Sequence, residues 1–212
     1  MKDRGKVLDI LEPTRIQPGN LVTVRQQVPL GLGHAIWCAR VIVGDEPFAI
    51  FLPDELMIGT PGCMKQMVEA YSEHGGNLIS VLEVPEAEVS SYGVIAPGKR
   101  EGAITEVLGL VEKPKREDAP SNLIISGRYI LQPEVMRVLE GQEKGAGGEI
   151  QLTDAMARMI GTQPFHAVTF AGKRYDCGNK TEFVEATLAI ALARPDMADE
   201  VRAMAQRLLG DA

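Results

Sequence analysis

Phe48-Ala49-Ile50-Phe51-Leu52, Met64-Lys65-Gln66-Met67-Val68-Glu69-Ala70-Tyr71-Ser72-Glu73-His74 and Asn77-Leu78-Ile79-Ser80-Val81-Leu82-Glu83-Val84 follow one another along the chain. The first segment is apolar throughout, the pattern of a central parallel strand covered on both faces. The second sets Met67, Val68 and Tyr71 on one side of a helix and stops at Gly75-Gly76. The third is a strand again. Upstream, Leu21 to Arg25 has the β-branched content of a short strand, and Gly31-Leu32-Gly33 opens a helix from about His34 to Val43. Strand alternating with helix predicts βαβ units and a mostly parallel sheet, hence an α/β fold.

Further along, the rhythm changes. Tyr92 to Ala96, Ile104 to Val111 and Leu123 to Leu131 are three strands with no helix-length segment between them, which predicts an antiparallel component and a mixed sheet. Helices follow over Pro133 to Leu139 and Gln151 to Ile160, then a strand over Ala167 to Phe170 and a helix over Thr181 to Ala193. Pro195 restarts a last helix that ends near Gly210. The expected organisation is one domain over residues 1–194 and a helical extension over 195–212 suited to packing or dimerisation. At the start, Arg4 to Glu12 reads as the end of a helix, stopped by Pro13 and the Gln17-Pro18-Gly19-Asn20 turn.

A chain of 212 residues with 45% hydrophobic and 24% charged content belongs to the ordinary globular class and is not a disordered one. Its formal net charge of −7 argues against sequence-independent nucleic-acid binding, and an anionic ligand would call for locally concentrated cations or a metal. Cys38, Cys63 and Cys177 are odd in number and widely spaced, the usage of reduced thiols and not of a disulfide framework or zinc site. No apolar run approaches a membrane span, and the charged N-terminal residues are not followed by a secretory apolar segment. A cytoplasmic location is the expectation.

Three places carry chemistry at predicted strand ends: Phe51-Leu52-Pro53-Asp54, Val111-Glu112-Lys113-Pro114 and Arg174-Tyr175-Asp176-Cys177-Gly178. Ligands of α/β proteins bind at such ends. Asp54 and Asp176 together suit a hard divalent cation, and Lys113 beside a hydroxyl-binding Glu112 suits a sugar phosphate. Each also has a plain explanation. Either aspartate alone is a turn or cap residue, and Glu112-Lys113 is a solvated ion pair of the common kind. The Gly31-Leu32-Gly33-His34 turn, with Gln26 before it, offers close backbone approach to a planar base or is simply a strand–helix connection needing glycine torsions. Gly145 to Ala155 is a glycine-rich loop and a helix start.

As an ordered set, these segments closely resemble the bacterial UTP–glucose-1-phosphate uridylyltransferase family. The matching pieces include Val24-Arg25-Gln26, Pro29 to Ala35, Gly44 to Phe48, Leu52-Pro53-Asp54, Tyr92-Gly93-Val94-Ile95 and Val111 to Lys115. Ala119 to Leu123, Gly127-Arg128-Tyr129, Gly145 to Ala155 and Tyr175 to Lys180 complete the set. The resemblance implies a Rossmann-like nucleotidyltransferase fold, a glycosyltransferase-A-like α/β/α sandwich with a mixed sheet, here N-terminally truncated. It implies that UTP and glucose 1-phosphate react to UDP-glucose and pyrophosphate with Mg²⁺ in a cytoplasmic homo-oligomer of carbohydrate metabolism, with no nucleic-acid or membrane partner. Carried over position by position, Gln26 and Gly31 would meet the uracil, Asp54 and Asp176 the Mg²⁺, and Gly93, Glu112 and Asn122 the sugar. Lys113 would meet the sugar phosphate and, with Asp54, act in catalysis.

The chain departs from that family in one place above all. The family's Gly-x-Gly-Thr-Arg loop, which cradles the triphosphate, has no counterpart in residues 1–25. The expectation is therefore an enzyme impaired over residues 1–212. The alternatives are a non-catalytic UDP-sugar-binding or regulatory relative, and a related enzyme using another nucleotide or sugar. Gln27-Val28 and Glu55 are smaller departures, the family more often having Gly-Glu and Asp there.

Overall fold

A computed structural model describes residues 4–141 and 143–210. Helix α1 (Arg4–Leu11) leads through a single 3₁₀ turn into an extended segment, and the predicted strand over Leu21 to Arg25 does not form. Those residues are solvent-exposed and run alongside no other strand, so β-branched composition has no ladder to join. The predicted helix after Gly31 is present as α2 (Leu32–Cys38) and α3 (Arg40–Val43), separated at Ala39. Next come β1 (Phe48–Phe51), β2 (Glu55–Ile58), α4 (Cys63–His74), β3 (Asn77–Glu83), β4 (Gly93–Glu101), β5 (Ile104–Glu112) and β6 (Leu123–Leu131). The chain continues with α5 (Glu134–Glu140), α6 (Leu152–Met159), β7 (Phe165–Thr169), β8 (Lys173–Asp176), α7 (Lys180–Ala193) and α8 (Ala198–Gly210).

The main sheet runs β1-β6-β3-β7-β5-β4, with β6 also touching β4. Only β3 and β7 are parallel; every other pair is antiparallel. The expectation of a mostly parallel sheet is corrected accordingly, and the mixed character is retained. Strand β1 is corrected too. It is not a buried central strand but lies at the sheet edge, antiparallel to β6, with Phe51 exposed. Apolar content reports burial on two faces only if a second neighbour is in place, and none is present among the described residues.

Strand β3 is central and buried from Asn77 to Val81. On one face of the sheet, α2, α5 and α6 close over Ile79, Val81, Ile95, Ile125 and Leu131 with Leu152 and Met156. On the other face α4 brings Met67 and Ala70 onto Leu78, Ile130, Val168 and Phe170. The result is an α/β/α sandwich around a mixed sheet. Val68, expected on the buried side of α4, is about half exposed. A second, two-stranded sheet pairs β2 with β8 and stands beside the main one. No helix among the described residues is long and apolar enough to cross a membrane.

Candidate active site

The two-stranded sheet brings the first and last strand-end motifs together. Its register pairs Glu55 with Asp176, and the Cys177 N–H donates to the Asp54 carbonyl at 2.7 Å. Asp54 occupies the turn before β2, and Asp176 closes β8. Both carboxylates face Gly178. A methyl group placed on Gly178 would lie 3.0 Å from Asp176 Oδ1 and 3.4 Å from Asp54 Oδ2.

Neighbouring groups hold Asp176 at several points. The Gly178 N–H donates to its Oδ1 at 2.9 Å, and its own N–H donates to Glu182 Oε2 at 2.8 Å. Glu182 lies in the first turn of α7, whose N-cap Asn179 accepts from the N–H groups of Thr181 and Glu182. Asp54 is held through its backbone. Arg128 on β6 donates to the carbonyls of Leu52 at 2.9 Å and Glu55 at 2.5 Å, gripping the turn from both sides. Gly127 permits this arrangement. It adopts a φ of +71°, and a side chain there would come within 2.5 Å of Glu55 Cγ.

Glu55 itself turns inward. Its carboxylate receives Arg174 Nε at 2.5 Å and Nη2 at 2.6 Å, and both side chains are less than a tenth exposed. Burial pushes the Glu55 carboxyl up, opposed by the Arg174 bonds, and the Asp54 and Asp176 charges add to the upward push. Burial works against the Arg174 charge, but its bonds to Glu55 and Tyr92 outweigh that and hold the guanidinium protonated.

The middle motif forms the wall of an adjoining cavity of about 140 Å³, lined among others by Tyr92, Gly93, Glu112, Tyr129, Gln151 and Thr153. Gly93 opens β4 directly opposite Glu112, the last residue of β5. A methyl group on Gly93 would sit 3.1 Å from both Glu112 Oε2 and Thr153 Oγ1, so glycine keeps the space in front of that carboxylate open. Burial, with the nearby Glu112 charge, pushes the Tyr129 hydroxyl well above its ordinary range, leaving a neutral phenol in the wall. Lys113 follows at a φ of +45°, its N–H bonded to the Tyr92 carbonyl at 3.0 Å. Its side chain is exposed and makes no ion pair among the described residues.

Gly31 directly precedes Leu32, which lines the same cavity as Glu112, and Gln26 is bonded to Gly31. Gln26 Nε2 donates to the Gly31 carbonyl at 3.0 Å and meets His34 Nδ1 at 2.9 Å. Gly31, at a φ of +107°, presses against Glu149 and Ile150, where Ile150 N–H bonds the Leu30 carbonyl at 2.7 Å. Asn122 stands apart from the Glu112 cavity. Its amide donates to Glu83 at 3.0 Å, and it lines a separate hollow with Glu86 and Arg116. Sequence reasoning missed Glu55, Tyr92, Arg128 and Arg174. One signal was available: Arg174 and Asp176 are two apart on a strand and so share a face.

The fold has known counterparts. The family described as nucleotidyl transferase matches residues 8–192. The chain belongs to the nucleotidyl transferase family. Among curated nucleotidyl transferases, it is 49% identical over 179 residues to a UTP--glucose-1-phosphate uridylyltransferase of Komagataeibacter xylinus, covering 84% of this chain and 63% of that one. A crystal structure of a UDP-glucose pyrophosphorylase complexed with UDP-glucose superimposes with a TM-score of 0.79 at 42% identity, covering 81% of this chain and 66% of the other. A UTP-bound enzyme of the same kind from Acinetobacter baumannii gives a TM-score of 0.82 at 36% identity, covering 97% and 73%. The chain thus spans just under two thirds of the first two relatives.

Proposed function

We propose that this nucleotidyl transferase chain carries the chemistry of a UTP–glucose-1-phosphate uridylyltransferase. A phosphate oxygen of glucose 1-phosphate attacks the α-phosphorus of UTP in line, the bond to the β-phosphate oxygen breaks, and pyrophosphate leaves with UDP-glucose formed. The observation that carries this reading is that the paired carboxylates adjoin, through Glu55 and Tyr92, a cavity walled by Glu112 and Gly93. Glu112 accepts from sugar hydroxyls, and Gly93 leaves the room for them. Lys113, exposed and without an ion-pair partner among the described residues, meets the sugar phosphate. Gln26 and the Gly31 backbone approach the uracil. The place of Asn122 in a different hollow argues for leaving it out of the sugar contacts.

The metal assignment rests on the donor set. Asp54 makes no ion pair among the described residues, and Asp176 turns Oδ1 to the same side. Two carboxylate oxygens fit a hard divalent cation that takes its remaining ligands from phosphates and water. Among the described residues no group of three His, Cys, Asp or Glu side chains could complete a site without the substrate. Bound there, Mg²⁺ would supply charge neutralisation on the phosphates. The three free cysteines suit a reducing cytoplasm, and the protein acts as a homo-oligomer in this reading.

The test takes the 212-residue polypeptide, UDP-glucose, Mg²⁺ and calorimetry, with ADP-glucose as the contrast. UDP-glucose is expected to bind and ADP-glucose to bind at least about tenfold more weakly, because the base contacts differ. Turnover from UTP and glucose 1-phosphate is expected to be slow. The 212 residues contain no Gly-x-Gly-Thr-Arg segment, and losing one preorganised donor set commonly costs about 3–4 kcal/mol of barrier. Equal binding of both nucleotide sugars would remove the uridylyl reading.

A further inference from the structure

Arg174 is the buried charge that the proposed chemistry leaves without a task. Burying an arginine and a carboxylate together returns little unless their remaining donors and lone pairs are also satisfied. Here the arginine's donors are satisfied by three partners, Glu55, Tyr92 and Asp176. Glu55 takes the guanidinium in a two-toothed grip, at 2.5 and 2.6 Å. Arg174 Nη1 donates to the Tyr92 hydroxyl at 3.3 Å, and the guanidinium lies 4.9 Å from the centre of the Tyr92 ring. The Tyr92 hydroxyl in turn donates to Asp176 Oδ2 at 3.4 Å, and Arg174 Nη2 stands 3.3 Å from the same oxygen.

Oδ2 of Asp176 is therefore engaged from two sides, while Oδ1 is the oxygen turned toward Gly178 and Asp54. Glu55 balances the Arg174 charge before it reaches Asp176. Asp176 thus gains direction from these contacts at Oδ2. We propose that Arg174, with Tyr92 as its bridge and Glu55 as its anchor, is a positioning residue that holds Asp176 in the orientation that faces Asp54 and so selects Mg²⁺ over larger divalent cations. This rests on the reading of Asp54 and Asp176 as metal-binding residues.

The argument for selectivity is geometric. Mg²⁺ demands near-octahedral oxygens at short distance, whereas Ca²⁺ accepts longer and more variable ones. A carboxylate free to swing costs the smaller ion more. Tying Asp176 through a planar, rigid guanidinium and a phenol ring restricts that swing better than a flexible ammonium would.

The experiment measures Mg²⁺ and Ca²⁺ affinity by calorimetry, with and without UDP-glucose, for the native protein, Tyr92→Phe and Arg174→Lys. Tyr92→Phe keeps the ring and removes only the hydroxyl bridge. Its Mg²⁺ affinity is expected to fall about three- to tenfold, with Ca²⁺ changing less than about twofold. Arg174→Lys, which keeps the charge and loses the fork, should narrow the Mg²⁺ to Ca²⁺ ratio at least as far. It is read in the same way should Tyr92→Phe fail to fold. A purely structural ion pair would lower thermal stability and leave the ratio alone, so an unchanged ratio in the folded variants overturns the proposal. A native protein that binds neither cation overturns it together with the metal assignment. Binding of Mg²⁺ without UDP-glucose recognition would instead remove the proposed activity, and the measurements without nucleotide sugar would still decide the role of Arg174.

Discussion

Glu112 and Lys113 are neighbours in the chain with opposite surroundings. Glu112 is partly buried in the cavity wall across from Gly93, while Lys113 projects outward from a left-handed backbone turn. Their contributions should therefore separate. On the proposed reading Glu112→Gln would remove a charge facing sugar hydroxyls, so glucose 1-phosphate recognition is expected to weaken while UTP binding stays nearly unchanged. Lys113→Ala would, on the same reading, remove a charge-assisted contact to phosphate, of a kind worth about 1.5–3 kcal/mol. Separate titrations of the two substrates check this, and equal loss of both in both variants would contradict it. The residues that support the site were harder to foresee. Arg174 and Asp176 share a strand face by their spacing, but Glu55 is more than a hundred positions away from Arg174 in sequence. Nothing local marks that pair.

At the scale of elements, the two-stranded sheet depends on its backbone as much as on its charges. Gly127, in β6, makes room for Glu55 at the start of β2 with a positive φ that other residues adopt at a cost. Gly44 has a similar φ of +67° but nothing within 4 Å of an added methyl. Gly44→Ala is expected to cost about 1–3 kcal/mol from its torsion alone, because φ +67° with ψ −143° is a conformation that glycine adopts freely and other residues do not. Gly127→Ala should cost at least about 1 kcal/mol more, because its methyl also meets Glu55. Urea denaturation of both variants measures the difference, and equal losses would show that the contact with Glu55 yields freely. The elements expected from periodicity, α4, β3, β5, β6 and α7, formed where their patterns ran longest. The segment over Leu21 to Arg25 failed for want of a partner; β2 went unrecognised and β8 was legible only as a strand end at Asp176, because four residues are too few to show a period.

The whole molecule leaves an apolar surface uncovered. Helix α7 is apolar along most of its length, yet Ala186 is its only buried residue; Phe183 and Val184 are more than half exposed, as are Leu208 and Leu209 on the α8 that packs against it. A helix apolar on all sides is normally enclosed. The edge of β1 adds Phe51 and a row of backbone groups that pairs with no strand among the described residues. The purified 212-residue protein is therefore expected to self-associate at micromolar concentration in analytical ultracentrifugation. Phe183→Glu with Val184→Glu should shift it toward the monomer if α7 forms the contact. A native protein that sediments as a monomer across that range would count against association.

Helix boundaries, the strand cores and the three strand-end motifs were legible in the amino-acid order, because each arises from contacts within a few residues. Caps, glycine stops and apolar periodicity are local quantities, and the charged tetrapeptides announce themselves wherever a strand must end. Pairing is not local. Whether β1 lies centrally or at an edge, and parallel or antiparallel, depends on which distant segment arrives beside it. The same holds for Asn122, which follows its strand into a hollow beside Glu86 and away from Glu112. Folding alone brings Asp54 and Asp176 to one glycine and threads Arg174 between Glu55, Tyr92 and Asp176. Those contacts join residues separated by most of the chain, and only the packed sheet fixes their distances.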